Sequence, residues 1–324
     1  LNNVKFELTT LRKDDKTDGR YAEVSFIDNW TQDSERRDFT INAIYLDEKG
    51  KIFDPQLGKV DLENKVIKFI GDPEKRIQED FLRIIRFIRF SLQYNYQKFE
   101  KSTINAIKIN LAGIQNISRE RVLSELVKIL KLNNLEIIND NIDLRTIFLM
   151  IFPELKYIER LSKINKFLSK KDLNPDILLA ILVIDNNKNH QYFFHKYSIS
   201  NVLKNRLTFL GERYFEFKEN KKFFKENLIH NIYVLGKQNL YDLNIINFFL
   251  NKKKSFEDYL DLKSKINSIK VPKFPYDGNY LLNKGVPKGK KVGEVLKILE
   301  EEWLNNNFII DEIEADKIIK KFNT

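Results

Sequence analysis

The sequence predicts an α+β chain: a small mixed α/β head, residues 1–71, followed by helices to the C-terminus. Three observations carry this. Short runs rich in β-branched and aromatic residues, bounded by turn residues, are confined to the head. From Asp72 onward apolar residues recur at helical spacing. That pattern is broken at Pro153, at Pro175 and over 186–189, where proline and asparagine mark ends of helices.

In order, residues 3–12 and 21–27 read as strands, and the polar stretch 13–20 reads as their connection. Residues 43–46 and 51–53 read as two more strands around a turn at 47–50, and 66–70 as a last short strand. Asp72 is a good N-cap, with Pro73 at the first helical position, where its missing N–H costs nothing. A continuous helix is expected over 76–90. Ser118 repeats the capping signal, with Glu120 in the first turn. Residues 270–275 and 285–293 read as linkers. The expected division is a head at 1–71, a helical neck at 72–134, a helical body at 135–268 and a helical tail at 269–324.

Composition excludes several classes. Cysteine is absent, so disulfides and thiolate metal sites are out. His190, His195 and His230 form no HExxH pattern, which argues against a zinc hydrolase. No apolar run approaches the ~18 residues of a membrane span. No stretch of signal-peptide form opens the sequence, so a cytoplasmic protein with no membrane partner is expected. The net charge of +10 suits a polyanion, although the abundance of Lys, Asn and Ile leaves compositional bias as an equal reading.

Chemistry concentrates in the helix expected over 76–90. Ile77, Phe81, Ile84, Ile85 and Ile88 share one stripe. Asp80 and Arg83 lie about 60° apart on another face, with Arg86 and Arg89 following at the same step. A carboxylate accepts and a guanidinium donates in fixed planar geometry, so the pair can read the edge of a base. The other arginines can hold a triphosphate. The plainer alternative is a solvated face laced with ion pairs. Phe87 and Phe90, also on this helix, argue against simple exposure. Upstream, Arg36, Arg37 and Asp38 precede a short apolar element; Arg37 can grip phosphate bidentately, with Asp38 expected to orient it. Asp54, followed by Pro55 and Gly58, is by itself ordinary turn chemistry.

These residues carry a family resemblance. Residues 36–43 are similar to an RRDxTxNA motif and 79–83 to an EDxLR motif. Residues 54–62 resemble DPxxGxxDL, with Leu57 where glycine is frequent. The motifs are those of the class II tRNA nucleotidyltransferases, the CCA-adding enzymes and bacterial poly(A) polymerases. Residues 117–125 resemble the motif that closes the neck in that family. Residues 274–278 and 285–293 resemble a tail motif, with Tyr280 replacing an aspartate and Lys290 a proline.

The resemblance implies a partial polymerase-β-like nucleotidyltransferase head and the addition of C, C and A to the tRNA 3′ end from CTP and ATP. It implies that Asp80 and Arg83 pair with the base, that Arg37, Arg86 and Arg89 hold phosphate, and that Arg36, Asp38 and Asp54 support them. Body and tail would grip the acceptor and T arms of tRNA, with the lysines at 252–254 and 288–291 (Lys288, Lys290 and Lys291) as candidate phosphate contacts. Residues 14–20 resemble the flexible loop implicated in the switch from CTP to ATP. Mg2+ is the implied cofactor, held by an Asp-x-Asp pair that, with a glycine-rich turn, belongs upstream of the first strand. Neither motif occurs in the sequence, so the catalytic and metal-binding residues are expected upstream of Leu1. The expectation is an N-terminally truncated chain that binds nucleotide and tRNA without transferring nucleotides. A poly(A) polymerase, a CC- or A-adding enzyme, and a non-catalytic RNA-binding or split-enzyme subunit remain the alternatives.

Overall fold

The structure, a computed structural model, describes residues 9–17, 22–96, 98–167 and 173–322. Most of the first expected strand, and Asp18, Gly19 and Arg20 of the expected loop, lie outside the described residues.

The chain divides into two compact units, Leu1–Gly211 and Glu212–Thr324. In the first, β1 (Arg12–Thr17) pairs antiparallel with β2 (Ala22–Phe26), Arg12 opposite Phe26 and Thr17 opposite Ala22. Residues 13–17 are thus strand and not connection. Backbone pairing with β2 recruits them despite their polar composition, because strand preference follows context more than residue type. Helix α1 (Trp30–Glu35) follows, capped by Asn29. β3 (Tyr45–Leu46) and β4 (Ile52–Phe53) form a short hairpin. Its turn is closed by the Asp47 carboxylate, which accepts from the Lys49 and Lys51 amides at 2.9 and 2.7 Å.

The expected strand over 66–70 is reduced to one bridge, Phe39 opposite Phe69. Thr40 N–H donates to the Lys68 carbonyl and Ile70 N–H to that of Asp38, at 3.0 and 3.1 Å. Beyond these two bonds the chains part, one into a 3-10 turn at Thr40–Asn42, the other into a turn at Gly71 with φ +77°. The bridge nevertheless pins Asp38 and its neighbours beside the helices that follow α2 (Gly58–Glu63).

The helix expected over 76–90 is two helices, α3 (Pro73–Glu79) and α4 (Leu82–Gln93). Asp80 between them is extended, φ −155° and ψ 102°. Its carboxylate accepts from the Leu82 amide at 3.1 Å, a local side-chain bond that replaces helix continuation. Asp72 caps α3 through the Glu74 amide at 2.8 Å, with Pro73 at the first position. Ile77, Ile84, Ile85 and Ile88 are fully buried, and Phe39, Phe69 and Phe87 complete the core beneath them. Phe81 is only half-buried.

α3 packs on α5 (Lys101–Asn110) and α4 on α6 (Arg119–Leu130). A 3-10 turn, Leu111–Asn116, joins α5 to α6, which Ser118 caps. The unit continues through α7 (Ile137–Asp140), α8 (Ile142–Ile151), α9 (Pro175–Val183) and α10 (Asn189–Lys196), and the division falls inside α11 (Asn201–Glu219). The second unit holds α12 (Leu228–Leu235), α13 (Lys237–Leu250) and α14 (Phe256–Ser268), the last opened by a capping box between Ser255 and Asp258. α15 (Gly278–Asn283), α16 (Lys290–Asn305) and α17 (Glu312–Lys320) enclose Leu281, Val286, Val295, Leu299, Ala315 and Ile319. The linker expected over 285–293 is helical from Lys290 on. Among the described residues, no helix is long and apolar enough to cross a membrane.

Candidate functional site

The arginine pair is built around a residue the sequence reading did not single out. Asp33, on α1, has a fully buried carboxylate. Its Oδ1 accepts from Arg36 Nη2 at 2.5 Å and from the Arg12 amide at 3.2 Å. Its Oδ2 accepts from Arg37 Nη2 at 3.0 Å and Tyr45 Oη at 2.8 Å. Burial alone would raise the Asp33 pKa; hydrogen bonds from Arg36, the Arg12 amide, Tyr45 and Arg37 outweigh it and hold the carboxyl down to about 2. The spacing i, i+3 and i+4 from Asp33 to the two arginines was the available signal.

Asp38 does not orient Arg37. Its Oδ2 accepts from Arg86 Nε at 2.6 Å, and its Oδ1 from Asn42 Nδ2 at 2.9 Å and the Phe39 amide at 3.0 Å. The Phe39–Phe69 bridge turns this carboxylate toward α4 and away from α1. Burial opposes its ionisation, and the Arg86 guanidinium keeps its pKa below the ordinary carboxylate value.

α3 and α4 hold the arginine pair from the other side. Arg76 Nη2 donates to the Arg37 carbonyl at 2.6 Å, and Arg83 Nη2 to the Arg36 carbonyl at 3.2 Å. Glu79 lies between the two guanidiniums, bonded to Arg76 and, at 2.7 Å, to Arg83 Nη1. Arg83 Nη1 also reaches the Arg76 carbonyl at 2.7 Å.

Asp80 and Arg83 therefore meet at one break but take separate partners. Asp80 Oδ2 accepts from Arg121 Nη2 on α6 at 2.7 Å. The same helix supplies Glu125, a buried carboxylate that receives Arg89 Nε at 2.8 Å and Lys128 Nζ at 2.6 Å, with Arg86 at 3.9 Å. The ring of Phe90 lies 4.2 Å from the Arg89 guanidinium and 5.3 Å from that of Arg86. Arg121 and Glu125 were legible only as parts of the motif closing the neck; pairings 41 and 36 residues apart leave no local mark.

Asp54 acts at one remove. It accepts from the Gly58 and Lys59 amides, both at 2.8 Å, and so caps α2. A Cβ on Gly58 would stand 2.1 Å from the Thr40 carbonyl oxygen, and Asp61 accepts from Thr40 Oγ1 at 2.7 Å. The third motif thus braces the second half of the first. Leu57 adopts the left-handed conformation, φ 56°, that glycine takes freely.

In the second unit, Lys252, Lys253, Lys288, Lys290 and Lys291 are exposed. The Tyr280 ring lies tilted against that of Tyr276, centroids 4.6 Å apart, and Lys284 is paired with Glu312 and Asp316. Among the described residues, no group of three or more His, Asp or Glu side chains could hold a metal ion, so no ligand set for Mg2+ is found there.

The arrangement presents a carboxylate acceptor and a planar donor at one helix break, each satisfied by a protein partner at the protein surface. The Asp80 side chain is 22% exposed and that of Arg83 13%.

Comparison with known proteins gives a consistent set. Residues 1–68 match the family described as the poly A polymerase head domain, and 98–159 the family described as a probable RNA and SrmB-binding site of polymerase A. The human protein called CCA tRNA nucleotidyltransferase 1, mitochondrial, is 30% identical over 99% of this chain and 74% of its own length. A CCA-adding enzyme of Staphylococcus epidermidis is 40% identical over 42% of this chain and 34% of its own. Among solved structures, the Bacillus stearothermophilus CCA-adding enzyme in complex with CTP matches with a TM-score of 0.66 at 19% identity, over 97% of this chain and 78% of that one. The Thermotoga maritima enzyme complexed with tRNA matches with a TM-score of 0.55 at 22% identity, over 90% and 74%. At these identities the structures establish the fold.

Proposed function

The chain belongs to the family of CCA tRNA nucleotidyltransferases, and on that premise we propose that it serves the addition of C, C and A to the 3′ end of tRNA from CTP and ATP. The observation that carries the reading is the convergence at the α3–α4 break. Asp80 and Arg83 stand there side by side, and Arg76 and Arg83 clamp the carbonyls of Arg37 and Arg36.

In this reading Asp80 and Arg83 offer the base an acceptor and a fork of donors: Asp80 keeps Arg121 and accepts from the base on a remaining lone pair, while Arg83 exchanges Glu79 for the base edge. Arg37 and Arg86, with side chains 32% and 29% exposed, hold phosphate, and Arg89 joins them by releasing Glu125. Arg36, Asp38 and Asp54 keep this set in place. We assign the head to 1–71, the neck to 72–134, the body to 135–268 and the tail to 269–324, with body and tail as the tRNA-binding parts. Mg2+ is the proposed metal, and the cytoplasm the proposed compartment.

Titration of the chain with each of the four nucleoside triphosphates tests the reading. CTP and ATP should bind at least about tenfold more tightly than GTP and UTP, the worth of one well-made hydrogen-bonded pair. Equal binding of all four would overturn the template role. Incubation with Mg2+ and a tRNA that ends before CCA tests the rest: CMP incorporation would overturn the expectation that this chain binds without transferring nucleotides, and a run of A from ATP alone would mark a poly(A) polymerase.

A further inference from the structure

Phe81 lies in the break itself, between Asp80 and Leu82, and is the one residue of the expected apolar stripe that is not fully buried. Its ring rests on Gly113, in the 3-10 turn Leu111–Asn116. A Cβ on Gly113 would stand 2.1 Å from Phe81 Cε1, 2.2 Å from Cδ1 and 2.4 Å from Cζ, where no methyl fits. Gly113 is not among the glycines of positive φ, so its backbone does not require glycine. The close approach of the ring is what requires it.

The same turn leads through the Ser118 cap to Arg121. Residues 80–81 are thus held to one stretch of chain by two adjacent contacts, Phe81 on Gly113 and Asp80 on Arg121. The first is a steric seat and the second an ion pair at 2.7 Å. A shift of the seat changes the reach and angle of the ion pair, because Asp80 and Phe81 are consecutive.

We propose that Gly113 is a positioning residue for nucleotide selection: the space left by its missing side chain seats Phe81, and that seat fixes the direction in which Asp80 presents its carboxylate. The inference rests on the proposed role of Asp80 in reading the base. A base-reading carboxylate tolerates little displacement, since a shift of about 1 Å takes a hydrogen bond out of its usual range of distance. A methyl at 113 displaces the ring by about that much.

The test uses the whole chain and three variants: Gly113→Ala, Phe81→Leu, and the two combined. The readouts are the ratio of CTP to GTP affinity, tRNA affinity and thermal melting. Gly113→Ala should lower the ratio about tenfold and leave tRNA affinity unchanged. Phe81→Leu should lower it less. The double variant, in which the methyl fills space the ring has left, should select CTP better than either single variant. That comparison with Phe81→Leu stands even if Gly113→Ala alone does not fold. Two single variants that select CTP as wild type does, or a double variant no better than Phe81→Leu, would overturn the inference and leave the proposed function standing. A wild-type chain with no preference for CTP would overturn both.

Discussion

Arg37 grips Asp33 with two nitrogens on one oxygen: Nε and Nη2 donate to Oδ2 at 3.1 and 3.0 Å. The carboxylate is closed to solvent while the Arg37 side chain is 32% exposed, so the buried partner fixes the more open one. Nη1 donates to the Asn42 carbonyl at 3.3 Å and Nε also reaches Tyr45 Oη at 3.2 Å, so all three nitrogens of the fork have protein partners and its geometry is already set. The ordering entropy of a long side chain is then met on folding rather than on nucleotide binding.

Asp33 should give the protein an acid-sensitive increment of stability. Its pKa is depressed in the folded chain, from 3.8 to about 2. The contribution is therefore complete above the unfolded value and is lost as pH falls through the folded one. It amounts to roughly 2 kcal/mol. Denaturant unfolding of wild type and Asp33→Asn should differ most at pH 6, with the gap narrowing between about pH 4 and pH 2. A gap that stays constant over that range would show that the carboxylate contributes no linkage.

Arg121→Ala should separate stability from selection. The Arg121–Asp80 pair is 31% and 22% exposed, and pairs of that kind contribute at most about 1 kcal/mol. Melting should scarcely change. Asp80 would lose the partner that fixes its second oxygen, and selection of CTP over GTP should fall while tRNA affinity holds. Intact selection in this variant would remove Arg121 from the positioning of Asp80.

Adjacent residues in the third motif should respond with opposite signs. Leu57 is 67% exposed and left-handed, so Leu57→Gly relieves strain at little packing cost. It should stabilise by up to about 1 kcal/mol. Gly58 has no room for a side chain beneath Thr40, and Gly58→Ala should destabilise by about 1–3 kcal/mol. Thermal melting of the two variants checks both signs, and a destabilised Leu57→Gly would mean that the leucine side chain packs to advantage.

What the sequence disclosed follows the range of each interaction. The Asp72 and Ser118 caps were legible because a cap acts on amides two or three residues away. Ile77, Ile84, Ile85 and Ile88 were legible because helical spacing fixes one buried face. The break at Asp80 was not, because that apolar period runs on through it and one side-chain bond to Leu82 decides the matter. The partners of the candidate residues were mostly hidden. Arg86 finds Asp38 across 48 positions and Arg121 finds Asp80 across 41, and only the folded chain brings them together. Asp33 is the exception, within one helical turn of both arginines.

Arg83→Lys should be the sharpest probe of base reading. The arginine is 13% exposed and serves Glu79 and two backbone carbonyls at once, so truncation to alanine would also loosen α3 against the arginine pair. Lysine keeps the charge and can still reach Glu79, but it has no planar fork and cannot present two parallel donors to a base. The CTP to GTP affinity ratio should fall by about tenfold, with tRNA affinity unchanged and stability lowered by about 1 kcal/mol. Equal losses of nucleotide and tRNA binding would assign Arg83 to the scaffold. Loss of selection alone would assign it to the base.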